Sequence, residues 1–398
     1  MEGGIRWLVA RVSFVFTNPR HHLEMMVPVA RELSRRGVAC ELVSLAEVRG
    51  IETPPAPSDL PLQRVLPFNL RRRMSIPTGK SEKTGLLRQA AQRIGWLGLA
   101  ARMLPTLRRS EVVVVPNDAV FPYEQLIREL HRRGTPYVLM QEGIRFALPN
   151  SYAGSAYARG GAAAVCAWGQ GSAEHFVASD VSSRSVVVTG TPRFDAIDPQ
   201  AWTEKGKALL ARLDIAPPIA LLTNPIEIQG YGTRDDKHVL ISRFLDEAAE
   251  ILDARQIPVV VKCHAHEDPD ELSRLFAKTR SARWVRVIPN EPLFEVLAAS
   301  RAAIILTSTV GLEALLFGLP LGMLEIPGHQ FAFEYVQRGA AVAIRAGAVT
   351  DALTQLVEPT AERTGAAAAF VERHLFDRGQ ASRHVADAIT RMLNSRPS

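Results

Sequence analysis

The sequence predicts an α/β protein made of two doubly wound, Rossmann-like domains. Short apolar runs alternate with amphipathic helical stretches along most of the chain, the pattern of βαβ units and parallel sheets. The apolar runs end in polar residues, at the sheet edge where open α/β folds place ligands. The 398 residues suffice for two domains of about 150–200 residues each, and a Gly/Pro-broken stretch, Val188-Thr-Gly-Thr-Pro-Arg-Phe-Asp-Ala-Ile197, interrupts the pattern near the middle. The expected division is 1–195, 196–360 and a helical tail over 361–398.

Trp7–Phe16 reads as the first strand, Thr17–His22 as a loop, Leu23–Arg36 as a helix stopped by Gly37, and Val38–Ser44 as the second strand. A Pro-rich loop follows at Pro54–Pro57. Leu86–Leu107 has mixed helical periodicity. Glu111–Val115, Pro136–Met140, Ala162–Trp168 and Ser185–Thr189 are further strands, with helix Tyr123–Arg133 between the first two. Asn117, Asp118, Gln141, Glu142 and Arg145 follow strand ends and are expected on one rim.

The second half repeats the alternation. Strands are expected at Ile219–Thr223, Val259–Cys263, Val285–Ile288, Ala303–Thr307, Leu321–Glu325 and Ala341–Ile344. Helices are expected at His238–Arg255, Pro269–Thr279, Leu293–Ser300, Leu312–Phe317 and Thr350–Leu356. Asp235 and Asp236 read as a helix-start pair. The turn Thr307-Ser-Thr309, between a strand and a helix, has the composition of a phosphate-holding turn, and equally of an ordinary cap. Glu313, in the first turn of that helix, suits the helix dipole and also suits a ribose diol.

Composition is that of an ordinary globular protein, 47% hydrophobic and 22% charged. No apolar run is long enough to span a bilayer, and the N-terminus has no signal-peptide pattern. Cys40, Cys166 and Cys263 are too scattered for a disulfide framework and point to a reducing compartment. The net charge of +6 is concentrated: residues 64–109 hold eleven Lys/Arg against Glu82, a local +10 that leaves the remainder near −4. This stretch reads either as a packed, solvated helix or as a peripheral contact with an anionic membrane. The expected location is cytoplasmic, and nucleic acid is not an expected partner.

Ser308-Thr-Val-Gly-Leu-Glu-Ala-Leu-Leu-Phe-Gly-Leu-Pro320 resembles the donor-binding motif of GT-B glycosyltransferases and the related UDP-N-acetylglucosamine 2-epimerases. The resemblance implies phosphate contacts from Ser308, Thr309 and Gly311, and a ribose contact from Glu313. Thr17–Gly37 resembles the opening of inverting GT-B enzymes, with His22 followed six residues later by Pro28. In that family such a His is often the general base, a task that suits imidazole. Gln141-Glu-Gly143 resembles a capsular-polysaccharide transferase motif, and Glu142-Gly-Ile-Arg145 a segment of the 2-epimerase, which makes Glu142 a second candidate base. Val259–His266 resembles the Lys-Pro-His-Pro motif of CDP-glycerol and capsule transferases, implying donor contacts from Lys262 and His264. A metal reading of Cys263, His264 and His266 lacks a second ligand pair.

Ile326-Pro-Gly-His329-Gln330 resembles the Asp-Gln pair of plant-type glycosyltransferases, which implies donor-sugar contacts from His329 and Gln330. Arg193 and Asn224 are also expected at the donor, and the strand-end residues Asn117, Asp118, Gln141 and Arg145 on the acceptor side. Phe376–Ile389 resembles the ending of the capsule and CDP-glycerol families, whose last helix returns to the first domain. Together these likenesses imply a GT-B fold, two Rossmann-like domains facing a cleft. The function implied is metal-independent transfer, inverting by family habit, of a sugar from a nucleotide-sugar donor such as a UDP-sugar to a hydroxyl acceptor. That acceptor is a glycan, a lipid-linked chain or a small molecule, in polysaccharide biosynthesis. No cofactor is expected. The alternatives are a 2-epimerase, a CDP-glycerol or capsule transferase, and a non-catalytic nucleotide-sugar-binding protein. Against the 2-epimerase, Thr223-Asn-Pro-Ile-Glu-Ile228 lacks that enzyme's His-Arg-Arg-Glu cluster.

Overall fold

The computed structural model describes residues 10–67, 86–144, 157–227, 230–264, 267–329, 331 and 333–395, with backbone alone for 86–94. Among these the chain divides into two compact units. One comprises the residues up to 144, 157–197 and those from 374; the other comprises 198–373.

The first unit runs β1 (Arg11–Phe16), α1 (Pro19–Arg35), β2 (Ala39–Ser44), β3 (Leu62–Arg64), α2 (Leu86–Leu107), β4 (Val112–Val115), α3 (Tyr123–Arg132), β5 (Tyr137–Met140), β6 (Ala164–Ala167), α4 (Gln170–Ala178), β7 (Val186–Val188) and α5 (Pro192–Asp195). Its seven strands lie in the order β3-β2-β1-β4-β5-β6-β7, and every pairing is parallel. Helices cover both faces, so the strands are apolar on both sides. Val112 and Val114 face one core with Val12, Phe14, Met25, Val29 and Ile389, while Val113 and Val115 face the other with Val15, Met103, Leu107 and Leu126. Alternate strand residues point to opposite faces, which is what divides a run of four valines between two cores.

The second unit runs α6 (Thr203–Leu213), β8 (Ile219–Leu222), α7 (Arg234–Arg255), β9 (Val259–Lys262), α8 (Pro269–Phe276), β10 (Val285–Val287), α9 (Leu293–Ala299), β11 (Ala302–Ile305), α10 (Val310–Leu316), β12 (Leu321–Leu324), β13 (Ala341–Ile344), α11 (Val349–Val357) and α12 (Ala361–His374). Its strand order is β10-β9-β8-β11-β12-β13, again parallel throughout. The last helix, α13 (Ala381–Asn394), belongs to the first unit, where it packs on α1 and buries Val385, Ala386 and Ile389.

Most expected elements appear within one or two residues of their predicted ends. Helix α1 starts earlier than expected: Asn18 accepts from the N–H groups of Arg20 and His21, and Pro19 occupies the first helical position, so the stretch read as a loop through His22 is already helix. Helix α7 likewise begins at Arg234 rather than His238, because Thr233 and Asp236 form a reciprocal capping box. The edge strand β3 and helices α4, α5 and α6 were not expected. The first has three residues, and α4 buries the small residues Gly171, Ser172 and Ala173 together with Phe176. Helix α2 buries Leu99, Met103 and Leu107, as a packed helix does, and leaves Leu97 outward. No helix among the described residues is long and apolar enough to cross a membrane.

Candidate active site

In the first sheet β1 lies between β2 and β4, so the chain leaves it in opposite directions along the sheet. Such a reversal opens a crevice at the carboxyl ends of the strands. Three polar side chains meet there. His22 stands in the first turn of α1, 4% exposed. Its Nδ1 accepts from the backbone N–H of Thr17 (3.3 Å) and of Asn18 (3.2 Å). Its Nε2 lies 3.2 Å from Glu142 Oε2, beyond the end of β5. Asn117, beyond β4, donates from Nδ2 to Glu142 Oε1 at 2.6 Å. The Asn117 Oδ1 accepts from the N–H of Ala119 (2.9 Å) and Val120 (3.3 Å), which fixes the amide with its nitrogen toward Glu142. Beneath the cluster, Tyr123 donates to Thr17 Oγ1. Burial first, and the Glu142 charge as a lesser contribution, hold the Tyr123 hydroxyl above its ordinary range.

Two residues expected on this rim turn inward. Asp118 accepts from the N–H groups of Ala158 (2.8 Å) and Gly160 (2.9 Å) and from Tyr137 Oη (3.0 Å). Gln141 donates to Gly143 O (2.7 Å) and Ser172 Oγ (2.9 Å) and accepts from the Trp168 N–H (2.9 Å). Both are buried and tie neighbouring segments together, a structural use of their polar atoms. Arg193, expected at the donor, lies on α5 of the first unit, 3.5 Å from Glu24 and over the Phe194 ring. Arg145 lies outside the described residues.

The second sheet reverses between β8 and β11. Here Asn224 donates from Nδ2 to Thr307 Oγ1 at 3.1 Å, linking the ends of the two strands. Ser308 and Thr309 follow, half-buried, and Ser308 Oγ accepts from the Val310 N–H. At the end of β9, Lys262 donates from Nζ to Pro289 O at 2.6 Å, and His264, two residues on, is exposed. His329, after β12, is exposed and meets Tyr231 edge-on at 5.5 Å. Gln330 and His266 lie outside the described residues.

Two further residues expected at the donor, Glu313 and Gly311, are buried in α10. Glu313 has no exposed surface. It lies close to Tyr335, whose hydroxyl is pushed well above its ordinary range by burial first and the Glu313 charge second. Gly311 is required by packing: a Cβ there would lie 2.8 Å from Ile305 Cδ1 and 2.9 Å from the Tyr335 ring.

One buried group escaped the sequence reading. Lys237 and Glu267, 30 positions apart, form an ion pair at the ends of β8 and β9. The capping pattern at Thr233–Asp236 marks the start of α7, but no spacing signal joins Lys237 to Glu267. Among the described residues no three His, Cys, Asp or Glu side chains gather as a metal-ligand set.

No protein-family model matches the chain, and no curated protein matches it by sequence. Solved structures do match over nearly its full length. A Neisseria meningitidis UDP-GlcNAc 2-epimerase bound to UDP-GlcNAc is 14% identical with a TM-score of 0.61, covering 96% of this chain and 100% of its own. A Methanocaldococcus jannaschii UDP-GlcNAc 2-epimerase in complex with UDP-GlcNAc and UDP is 12% identical with a TM-score of 0.64, covering 96% and 99%. A Rickettsia africae glycosyltransferase is 12% identical with a TM-score of 0.60, covering 98% and 100%. With its two doubly wound parallel sheets and these full-length likenesses, the chain has the GT-B fold.

Proposed function

We propose that this protein is a nucleotide-sugar-dependent glycosyltransferase that moves a sugar onto a hydroxyl acceptor. The observation that carries the reading is the His22–Glu142–Asn117 cluster at the switch point of the first unit. A proton-handling pair at the carboxyl edge of a Rossmann-like sheet is what activation of an acceptor hydroxyl requires. The nucleotide is assigned to the second unit, around the Ser308–Thr309 turn, Asn224 and His264. These residues end β11, β8 and β9 at the other switch point. The structural neighbours named for UDP and UDP-GlcNAc support a nucleotide-sugar ligand of this class. Lys262 and His264 supply cationic or donor groups for a diphosphate, so the reaction is read as metal-independent.

A 2-epimerase is the second reading, favoured by the names of those two neighbours. The sequence after β8, Thr223-Asn-Pro-Ile-Glu, lacks the basic cluster which that activity implies by resemblance. The test is incubation of the full chain with UDP-, GDP- and CDP-sugars, with and without acceptor extracts. Acceptor-dependent release of nucleoside diphosphate supports a transferase. Conversion of one nucleotide sugar into its 2-epimer without acceptor replaces that reading with the second. Absence of binding to every nucleotide tested overturns both.

A further inference from the structure

The hydrogen bonds around His22 fix which of its nitrogens carries the proton. Nδ1 receives two backbone N–H groups, those of Thr17 and Asn18, and acts there only as an acceptor. A proton on Nδ1 would point at both donors. The proton of the neutral ring is therefore on Nε2, and the 3.2 Å contact runs from Nε2–H to Glu142 Oε2. In that tautomer the only nitrogen facing Glu142 has no lone pair to offer a substrate. Exposure points the same way: the His22 side chain is 5% exposed and that of Glu142 30%.

We infer that Glu142 is the proton acceptor of the transfer reaction and that His22 and Asn117 are positioning residues that donate to its two oxygens. This reverses the order in which imidazole takes the proton and a carboxylate orients it, and it rests on the transferase reading above. In the step, the acceptor O–H bond breaks and its proton passes to the Glu142 carboxylate. The freed oxygen pair forms the bond to the anomeric carbon of the sugar. The bond from that carbon to the diphosphate breaks, and the nucleoside diphosphate leaves with the electron pair. The donors from Nε2–H and Asn117 Nδ2 each take one lone-pair direction of a different carboxylate oxygen. They also fix the carboxylate plane, which is how a positioned base gains its advantage over one free to rotate.

Two variants separate the two assignments. In His22→Gln the amide keeps an N–H donor near the Nε2 position and has no basic nitrogen. In Glu142→Gln the carboxylate is lost and the shape kept. Acceptor-dependent release of nucleoside diphosphate is measured with the nucleotide sugar that the wild type uses. Glu142→Gln is expected to lower kcat by about 10²-fold or more with nucleotide affinity retained, the range set for loss of a general base. His22→Gln is expected to stay within about tenfold of wild type, above the loss that removal of a base brings. In parallel, long-range ¹H–¹⁵N spectra of the labelled full chain, with His22→Gln assigning the resonance, are expected to report the Nε2–H tautomer.

A His22→Gln variant as inactive as Glu142→Gln, or a neutral His22 protonated on Nδ1, would overturn the inference and leave the transferase reading standing. A wild type that turns over no nucleotide sugar removes the transferase reading and the inference with it.

Discussion

Lys237 Nζ lies 2.7 Å from Glu267 Oε1, with the lysine side chain 1% exposed and the glutamate 4%. The other oxygen of Glu267 accepts from Thr223 Oγ1 (2.5 Å) and from the His264 N–H (2.8 Å). One buried carboxylate thus ties α7, the end of β8 and the segment after β9. Lys237 also lies 3.5 Å from Glu227 Oε2. Removing Lys237 leaves the Glu267 carboxylate out of water without its counter-charge, which costs about 3–5 kcal/mol. Lys237→Met is expected to lower unfolding free energy by that amount in urea titrations. The Lys237→Met/Glu267→Gln double variant is expected to recover part of the loss. A loss in Lys237→Met below about 1 kcal/mol, the scale of an exposed pair, would contradict the burial.

The 2.6 Å bond from Asn117 to Glu142 leads to a pH prediction. In Asn117→Asp a second carboxylate would stand beside Glu142, and a like charge at this range favours the protonated form. The acid limb of the kcat/KM profile, which reports the essential base in the free enzyme, is expected to move to higher pH. An acid limb unchanged from wild type would argue against Glu142 as the group that sets it.

Burial pushes the Cys40 thiol up to about 11, Cys166 to about 12 and Cys263 to about 11. All three are buried, so neither thiolate nor access is available near neutrality. The folded protein is expected to show no reaction with a thiol-specific disulfide reagent at pH 8, and the denatured chain to titrate three thiols. Rapid labelling of the native protein would show that one of these sites opens.

Gly206 on α6 lies against the backbone of α9. A Cβ there would fall 2.7 Å from Ala298 C and 2.8 Å from Ala299 N, main-chain atoms that cannot rotate away. Gly206→Ala is expected to destabilise the protein by about 1–3 kcal/mol despite the better helix propensity of alanine, with the overpacking outweighing it. A stability at or above wild type in thermal unfolding would show that α6 and α9 sit further apart.

Turnover is expected to survive EDTA, because the diphosphate charge is assigned to Lys262, His264 and backbone donors. Activity lost on chelation and restored by Mg²⁺ or Mn²⁺ would replace that part of the proposal.

Element type and order were legible along the chain, and all six expected strands of the second unit appear. This information is local. Apolar runs, capping residues such as Asn18 and Thr233, and stops such as Gly37 act within a few residues of themselves. The carboxyl-edge location of the polar groups was legible for the same reason: it follows from strand direction in a parallel sheet.

What only the tertiary structure decided is which of these groups meet. Glu142 reaches His22 across 120 positions because β5 lies beside β4 and β4 beside β1, an order that strand periodicity does not contain. Its neighbour Gln141, one residue earlier, points inward instead. Past the last ladder bond of a strand, side-chain direction is set by the loop's own hydrogen bonds. A one-residue step there separates an accessible carboxylate from a buried structural amide. The same long-range assembly buried Glu313, joined Lys237 to Glu267, and aimed two backbone N–H groups at His22 Nδ1. Contacts of this kind depend on strand order and packing, which form only when distant segments come together.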